Sequence, residues 1–491
     1  MLGICGTAMT ALAGCLQALG ARVTGSDQNV YPPMSDQLAA LGIPLFEGYR
    51  ASNIPVDTEL VVVGNVIQEQ NPEAAEMRHR NLPHVSMAEA VKRYAIGDRH
   101  TIAVVGTHGK TTTTSLVAHL LTGLGEDPGF LVGGIAGNFG ANFHLGQGGR
   151  FVIEGDEYDT AYFDKTPKFF KYAPDTVLFT SLEFDHADIY KDLDAIRVHF
   201  EALLAGLPKE GGLIACVDDP NVRALLPRAP CPVVGYGFDG ATGEEGGPDD
   251  IALLSDWSDD GSESAFTLAH QGAAVRWRQR QPGRHNALNA AAAILLARSL
   301  GYEDAAIQRV LLDFAGVRRR QEVRGVAGGV TVIDDFAHHP TAVRLTIEAM
   351  RHRYPGQRLW AVLEPRSFTA RGARFQNEFT EALAGAERVL IARPLASAYS
   401  GIQTPGEWAP LDTGAMVAKL NARGVQALNP EDTEEILAVL SGETAPGDVV
   451  LIMSNGGFDD IHNRLLDALG GVRADEPETG QSTSEATSGP T

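Results

Sequence analysis

The sequence predicts an α/β protein of three domains. Apolar, β-branched runs ending in glycine or polar tips alternate with helical stretches along the chain, which implies parallel sheets. At 491 residues the chain is too long for one hydrophobic core. The pattern resets twice, so the domains are expected over residues 1–97, 98–320 and 321–468, followed by a disordered tail over 469–491. In sheets of this kind ligands sit at the carboxyl ends of the strands, and the polar strand tips become the places to look for chemistry.

The first unit opens with LGICGTAMTALAGCLQALGARVTGSD. Gly3 and Gly6 precede an amphipathic helix that should end near Gly20, and a strand over residues 21–27 ends at Asp27. Only Met1 and Leu2 stand before Gly3, so the first strand is expected to be unusually short or clipped. Gly3, Cys5 and Met9 break the G-x-G-x-x-G spacing. The turn therefore suits a variant phosphate site better than a dinucleotide fingerprint. LVVVGNVI, residues 60–67, is a buried strand with Asn65 at its tip, and Asn71 then caps a helix with Pro72 in its first turn.

The second unit opens with TIAVVGTHGKTTTT, residues 101–114, which reads as strand, glycine turn and helix. Backbone N–H groups of Gly106, Thr107, His108, Gly109 and Thr112, together with the helix N-terminus, would hold phosphates. Lys110 would reach the outer phosphate oxygens and the Thr111 hydroxyl would face Mg²⁺. The usual pattern has glycine six residues before the lysine, where this chain has Val104, so the loop is tighter. Two later strands end in acidic tips. EGDEYD carries Glu154, Asp156, Glu157 and Asp159, and EFDHAD carries Asp185 and His186. Mg²⁺ prefers a few carboxylates alongside phosphate oxygens. Two such tips following a phosphate cradle outweigh the plain reading of each as a solvated loop. His285 and Asn286 open a helix, where Asn286 could meet a purine edge or act as an N-cap.

Residues 318–329 are basic and glycine-rich and read as a linker. The third unit starts with the strand VTVIDDFAHHP, which places Asp334, Asp335, His338 and His339 at a tip before a helix beginning at Pro340. Metal-ligand and hydrogen-bonding roles are both open there. Arg366 and Arg371 follow another strand end and suit recognition of a carboxylate or phosphate. Ser454, Asn455, Gly456 and Gly457 form either an anion-binding nest or a plain turn.

Composition narrows the function classes. The net charge of −22 argues against a nucleic-acid surface, and a run of acidic residues without bases between Asp239 and Ser264 reads as a solvated loop region. Cys5, Cys15, Cys216 and Cys231 form no disulfide framework, which suits a reducing cytoplasm. No basic-then-apolar leader opens the sequence and no apolar run approaches about 18 residues, so no membrane insertion is expected.

GTHGKTT, EGDEYD, FDHAD, GRHNALNAAAAI and DDFAHHP, taken in this order, resemble the Mur ligase family over roughly residues 2–468. The resemblance implies a Rossmann-like UDP-sugar domain, a P-loop-type central ATPase domain and a Rossmann-like C-terminal domain that brings the acceptor. It also implies an amide ligase using ATP and Mg²⁺. By resemblance Lys110, His186 and Arg366 are catalytic, and Thr111, Glu154 and His186 hold metal. His285, Asn286 and Asp335 join the loop in binding ATP. Gly3, Gly6, Thr7, Asp27 and Asn65 take the UDP-sugar, and Arg366, Arg371, Ser454, Asn455 and Gly456 take the acceptor, with Asp459 or Asp460 facing an ammonium group. Within the family, GICGT, GSDQNVYPPMS, VVGNVIQEQNPE, LEPRSFT and MSNGGFDDIH resemble the branch that joins UDP-N-acetylmuramate to L-alanyl-γ-D-glutamyl-meso-diaminopimelate. The sister branch that adds L-alanine has a PHRYTR-like segment where this chain reads EPRSFTARG. The lysine that several family members carboxylate has no counterpart in AIRVHFEALL. The rival readings are a nicotinamide dehydrogenase, suggested by the first unit alone, and a non-catalytic UDP-sugar sensor.

Overall fold

The computed structural model describes residues 1–30, 34–240, 248–394 and 409–470. Residues 31–33 of the YPPMS segment and the expected tail from 471 onward lie outside the described residues.

The N-terminal sheet is assembled around a single residue. Strands β1 (Gly25–Asp27) and β2 (Leu45–Glu47) pair in parallel, as do β3 (Val61–Val63) and β4 (His84–Ser86). Leu2 bridges Ser26 on one side and Val63 on the other, both in parallel. The expected short first strand is thus a one-residue link between two strand pairs. The second strand is also shorter than the run 21–27 suggested, because only its last three residues pair. Asn71 caps as expected, its Oδ1 accepting from the backbone N of Glu73 at 2.9 Å and of Ala74 at 3.2 Å.

The central sheet contains β5 (His100–Val105), β6 (Gly129–Ala136), β7 (Ala141–His144), β8 (Arg150–Gly155), β11 (Thr176–Phe179), β12 (Gly212–Cys216), β13 (Val233–Phe238), β14 (Asp250–Asp259), β15 (Ser264–His270) and β16 (Ala273–Gln279). A separate small hairpin pairs β9 (Asp159–Ala161) with β10 (Asp164–Pro167). The order is β16-β15-β14-β13-β12-β11-β5-β8-β6-β7, with β5 in parallel between β11 and β8. The middle strands are apolar throughout because both faces are covered. Ala103, Val105, Val177 and Phe179 pack into one core, while Ile102, Val104 and Leu178 pack into another. Within the acidic run read as a solvated loop region, residues 250–259 correct to strand as β14, while residues 241–247 lie outside the described residues. Buried Ala252 and Leu254 point inward and alternate with the partly exposed Ile251, Leu253 and Ser255, a half-buried strand pattern.

The C-terminal sheet runs β17 (Glu322–Ala327), β18 (Val330–Asp335), β22 (Val449–Met453), β19 (Leu359–Leu363), β20 (Arg388–Ile391) and β21 (Gln426–Leu428) in that spatial order. The linker expected over 318–329 is instead largely β17, paired antiparallel with β18. Gly328 and Gly329, at φ 57° and 78°, make the hairpin turn that the sequence reading took for flexibility. The helix expected at Pro340 runs Pro340–Arg353 and is capped by His339. No helix among the described residues is long and apolar enough to cross a membrane.

Candidate active site

The glycine turn sits where β5 gives way to the helix Lys110–Gly123. Gly106 lies at φ 126° and Gly109 at φ 82°, conformations that residues with a Cβ rarely adopt. A Cβ on Gly106 would stand 2.5 Å from Thr180 Oγ1 and 2.6 Å from Ser181 O. Gly106→Ala should therefore destabilise the protein by about 3 kcal/mol, read as a lower urea midpoint, whereas an unchanged midpoint would show that the loop yields easily. No side chain caps the helix Lys110–Gly123, so its first-turn N–H groups are available to an anion. Lys110, Thr111 and Thr112 line a cavity of about 1000 Å³.

The charges around this turn are mutually compensated. Lys110 Nζ donates to Gly106 O at 2.6 Å and to the two Glu157 oxygens at 3.1 and 2.9 Å. Burial works against the Lys110 charge, but Glu157, Glu154 and Asp156 outweigh it and raise its pKa. His186 Nε2 lies 2.8 Å from the same Glu157 carboxylate. Burial disfavours the imidazolium, yet Asp185 and Glu157 overcome this and lift His186 to about 9. Asp156, held down to about 2 despite burial by Lys168 and Lys110, accepts from Lys168 Nζ at 2.7 Å. Glu154 accepts from Thr111 Oγ1 at 3.0 Å and from Gly133 N at 2.7 Å, and burial raises its pKa. A threonine hydroxyl beside a carboxylate is a hard oxygen pair of the kind Mg²⁺ takes. These residues fit a nucleotide phosphate with its metal ion.

Of the residues singled out in the sequence, Gly6, Thr7, Asn65, Thr107 to Thr112, Glu154, His186, His285, Asn286, Asp335 and Asn455 line this one cavity. Gly106 is outside the cavity lining, and the N–H groups of Thr107 and His108, expected to hold phosphate, instead donate to Ser181 O and Oγ, both at 2.9 Å. Gly3 and Asp27 sit outside the cavity lining, and Asp27 accepts from Cys5 N at 2.8 Å and Asn29 N at 3.1 Å, which braces the first turn. Asn286 is not the N-cap, which is Gly283. Its Nδ2 donates to Pro282 O at 2.8 Å and its Oδ1 accepts from Asn289 at 3.1 Å, so it holds the helix start. His285 is half-buried, and the desolvation of its ring pushes its pKa down to about 4, leaving it neutral near pH 7. Asp335 accepts from Gln321 N and Ala337 N, both at 2.8 Å, and burial raises it to about 6.

The Ser454 turn corrects the expectation of an open nest. Ser454 is fully buried and its hydroxyl donates to Glu364, while Gly456 N donates back to Ser454 Oγ at 2.9 Å. Arg319 clamps the carbonyls of Ser454 at 2.8 Å and Gly456 at 2.6 Å. Ser454 and Gly456 spend their polar groups on each other, Glu364 and Arg319, whereas Asn455, whose Oδ1 has no partner among the described residues, alone of the four reaches the cavity. Arg366 lies over Gly456, 3.5 Å from Glu364, and Arg371 is buried. Asp459 accepts from Thr433 and Asp460 from Asn463, so neither faces the cavity.

Sequence reasoning missed Arg320 and Glu183. Arg320 Nη2 crosses from the C-terminal side to Thr111 Oγ1 at 3.3 Å and stacks on Phe336 with its Cζ 4.3 Å from the ring centre. Glu183 accepts from His108 at 2.7 Å and from Thr341 Oγ1 at 2.9 Å. Both were legible only as charges beside a turn.

Three family models tile the chain: Mur ligase family, catalytic domain, over residues 1–99; Mur ligase middle domain over 104–297; and Mur ligase, glutamate ligase domain, over 318–456. The chain belongs to the Mur ligase family. As such it is an ATP-dependent ligase of peptidoglycan synthesis. This Mur ligase is 39% identical to the UDP-N-acetylmuramate–L-alanyl-gamma-D-glutamyl-meso-2,6-diaminoheptandioate ligase of Escherichia coli strain K12, over 96% of this chain and 97% of that one. It is 35% identical to the UDP-N-acetylmuramate–L-alanine ligase of Rubrobacter xylanophilus, over 96% and 99% of the two chains. A crystal structure of a murein peptide ligase from Psychrobacter arcticus 273-4 superposes with a TM-score of 0.71 at 33% identity, covering 96% of this chain and 98% of that one. The dehydrogenase reading is thereby replaced, since it explained neither the cradle nor the acidic tips.

Proposed function

We propose that this Mur ligase joins UDP-N-acetylmuramate to the tripeptide L-alanyl-γ-D-glutamyl-meso-diaminopimelate through an acyl phosphate, in the recycling of cell-wall peptide in the cytoplasm. The observation that carries the reading is the shared cavity. Gly6, Thr7 and Asn65 enter it from the N-terminal domain, the phosphate turn and Glu154 from the central domain, and Asp335, His338 and Asn455 from the C-terminal domain. A sugar nucleotide, a triphosphate and an acceptor can meet there.

Mg²⁺ held by Thr111 and Glu154, with His186 at a second ion, would neutralise charge on the transferred phosphoryl group. The turn holds the triphosphate in line with the lactyl carboxylate, which attacks the terminal phosphorus and expels ADP. Lys110 leaves Glu157 for the phosphate oxygens and stabilises the charge that develops there. The free alanyl amine of the tripeptide then attacks the activated carbonyl and phosphate leaves. Glu154→Gln keeps the hydrogen bond from Thr111 and loses the charge. It should raise the Mg²⁺ concentration for half-maximal turnover on the order of tenfold or more. An unchanged Mg²⁺ dependence would remove Glu154 from the metal site.

A second reading, alanine as the acceptor, is favoured by the similarity to the Rubrobacter ligase. ADP release with UDP-N-acetylmuramate, compared for tripeptide, alanine and no acceptor, separates the two. Release with the tripeptide alone supports the proposal, and faster release with alanine overturns it. A non-catalytic sensor would release no ADP with any of them.

A further inference from the structure

His108, Glu183 and His339 form a cluster that the ligase reading does not use. Their donor atoms all lie within 4.8 Å of one another. Glu183 Oε2 stands 2.7 Å from His108 Nε2 and 3.4 Å from His339 Nδ1. All three residues line the cavity, so a further ligand position opens onto water.

Each ligand is oriented from behind. The backbone of His108 is pinned by its N–H to Ser181 Oγ at 2.9 Å and by Thr180 Oγ1 donating to its carbonyl at 2.5 Å. Thr341 Oγ1 donates to the other oxygen of Glu183 at 2.9 Å. His339 is buried and its Nε2 lies 3.2 Å from Phe184 O, where the N–H donates and leaves Nδ1 unprotonated, accepting the helix-cap hydrogen bond from Thr341 N at 3.4 Å and lying 3.4 Å from Glu183 Oε2. Hydrogen bonds of this kind fix metal-binding imidazoles in the required tautomer and orientation. Adjacent donors of a tetrahedral zinc site stand roughly 3.3 Å apart, given bonds of about 2.0–2.1 Å. The His339–Glu183 pair already meets that spacing, and the His108–Glu183 pair needs to open by only about 0.6 Å.

A hydrogen-bonded latch between the central domain and the C-terminal helix Pro340–Arg353 would explain the His108–Glu183 and Thr341–Glu183 contacts. The helix cap accounts for the unprotonated Nδ1, but neither cap nor latch accounts for its placement 3.4 Å from the same carboxylate oxygen, two acceptors with no proton between them. We propose that His108 Nε2, Glu183 Oε2 and His339 Nδ1 form a site for a borderline transition-metal ion, Zn²⁺ being the best match to two imidazoles and a carboxylate. The proton shared by His108 and Glu183 leaves as the ion enters. The bound ion ties the C-terminal domain to the phosphate turn.

Co²⁺, a coloured substitute for Zn²⁺, tests the site without reference to activity. Titrated into the full chain with Mg²⁺ present to occupy hard oxygen sites, one equivalent should give a visible ligand-field band of four-coordinate intensity. Glu183→Gln and His339→Asn should each weaken binding on the order of tenfold or more. Asparagine can still cap the helix at position 339, so the variant is expected to fold. A band that needs about tenfold or more additional Co²⁺ in both variants would support the site. No band in the unmodified protein, or an unchanged titration in either variant, would overturn it. Ligase activity failing with every acceptor would leave this result untouched, so the two proposals fall separately.

Discussion

Lys110→Ala should cut tripeptide-dependent ADP release by roughly 10²–10⁴-fold, the loss expected when one charge-stabilising group is removed from a phosphoryl-transfer site. The ammonium stays charged because three carboxylates surround it, and it reaches the turn through Gly106 O. The same substitution has a structural cost that must be measured beside the rate. Glu157 is 3% exposed and bridges Lys110 and His186, so loss of Lys110 leaves its carboxylate with one partner. Breaking a buried pair costs about 3–5 kcal/mol. The double variant Lys110→Ala with Glu157→Gln separates the two effects. Its melting temperature should recover towards that of the unmodified protein while ADP release stays low. Near-normal ADP release from the single variant would mean that the turn does not hold the triphosphate.

The fold was legible where burial is two-sided and periodicity strong. TIAVV could only be an inner strand, and the glycines after it could only be a turn, because φ values such as 126° at Gly106 admit little else. Several strand tips were read in the right places for the same reason, but the run 60–67 pairs only over Val61–Val63, and the strand read as ending in EFDHAD stops at Phe179, which leaves Asp185 and His186 on the loop beyond it. Residues 318–329 look solvated because they are basic and glycine-rich, yet Arg319 and Arg320 are the seam between the last two domains. Arg319 clamps the Ser454 turn and Arg320 reaches Thr111. A charge on a loop and a charge at a domain seam are identical in sequence, and only the packing of the partner distinguishes them. For Ser454 the sequence left a nest and a plain turn open, and it did not show that the hydroxyl is more stable against the buried Glu364 than in water, since an unpaired carboxylate there would be costly. Leu2 was legible as the remnant of a strand. That two strand pairs would close around one residue was not, because sheet pairing is non-local.

Acceptor choice should be steep: the tripeptide is expected to exceed alanine by roughly 10²–10⁴ in kcat/KM. The tripeptide brings several carboxylates, and a charged partner left unmatched in a closed site costs about 1–3 kcal/mol, so two of them give that range. Arg366 is an exposed cation beside the Ser454 turn, outside the cavity lining, and it pairs only loosely with Glu364 at 3.5 Å, which leaves its guanidinium free to turn to a substrate carboxylate. Arg366→Ala should therefore lower kcat/KM for the tripeptide by roughly 10–10²-fold while changing the rate with alanine much less. Loss of a charge also alters the local field, so a second route to the same contact is needed. Gly456 supplies it, because a Cβ there would stand 2.2 Å from Arg366 Cδ and push the guanidinium aside without removing it. Arg366 is a flexible chain and can yield, so Gly456→Ala should fold normally. It should also weaken the tripeptide reaction in the same direction as Arg366→Ala, with a smaller loss. If Gly456→Ala and Arg366→Ala both leave the ratio of tripeptide to alanine unchanged, the selectivity resides in the cavity itself. Neutral His285 and the Asn455 tip would then be the next groups to vary.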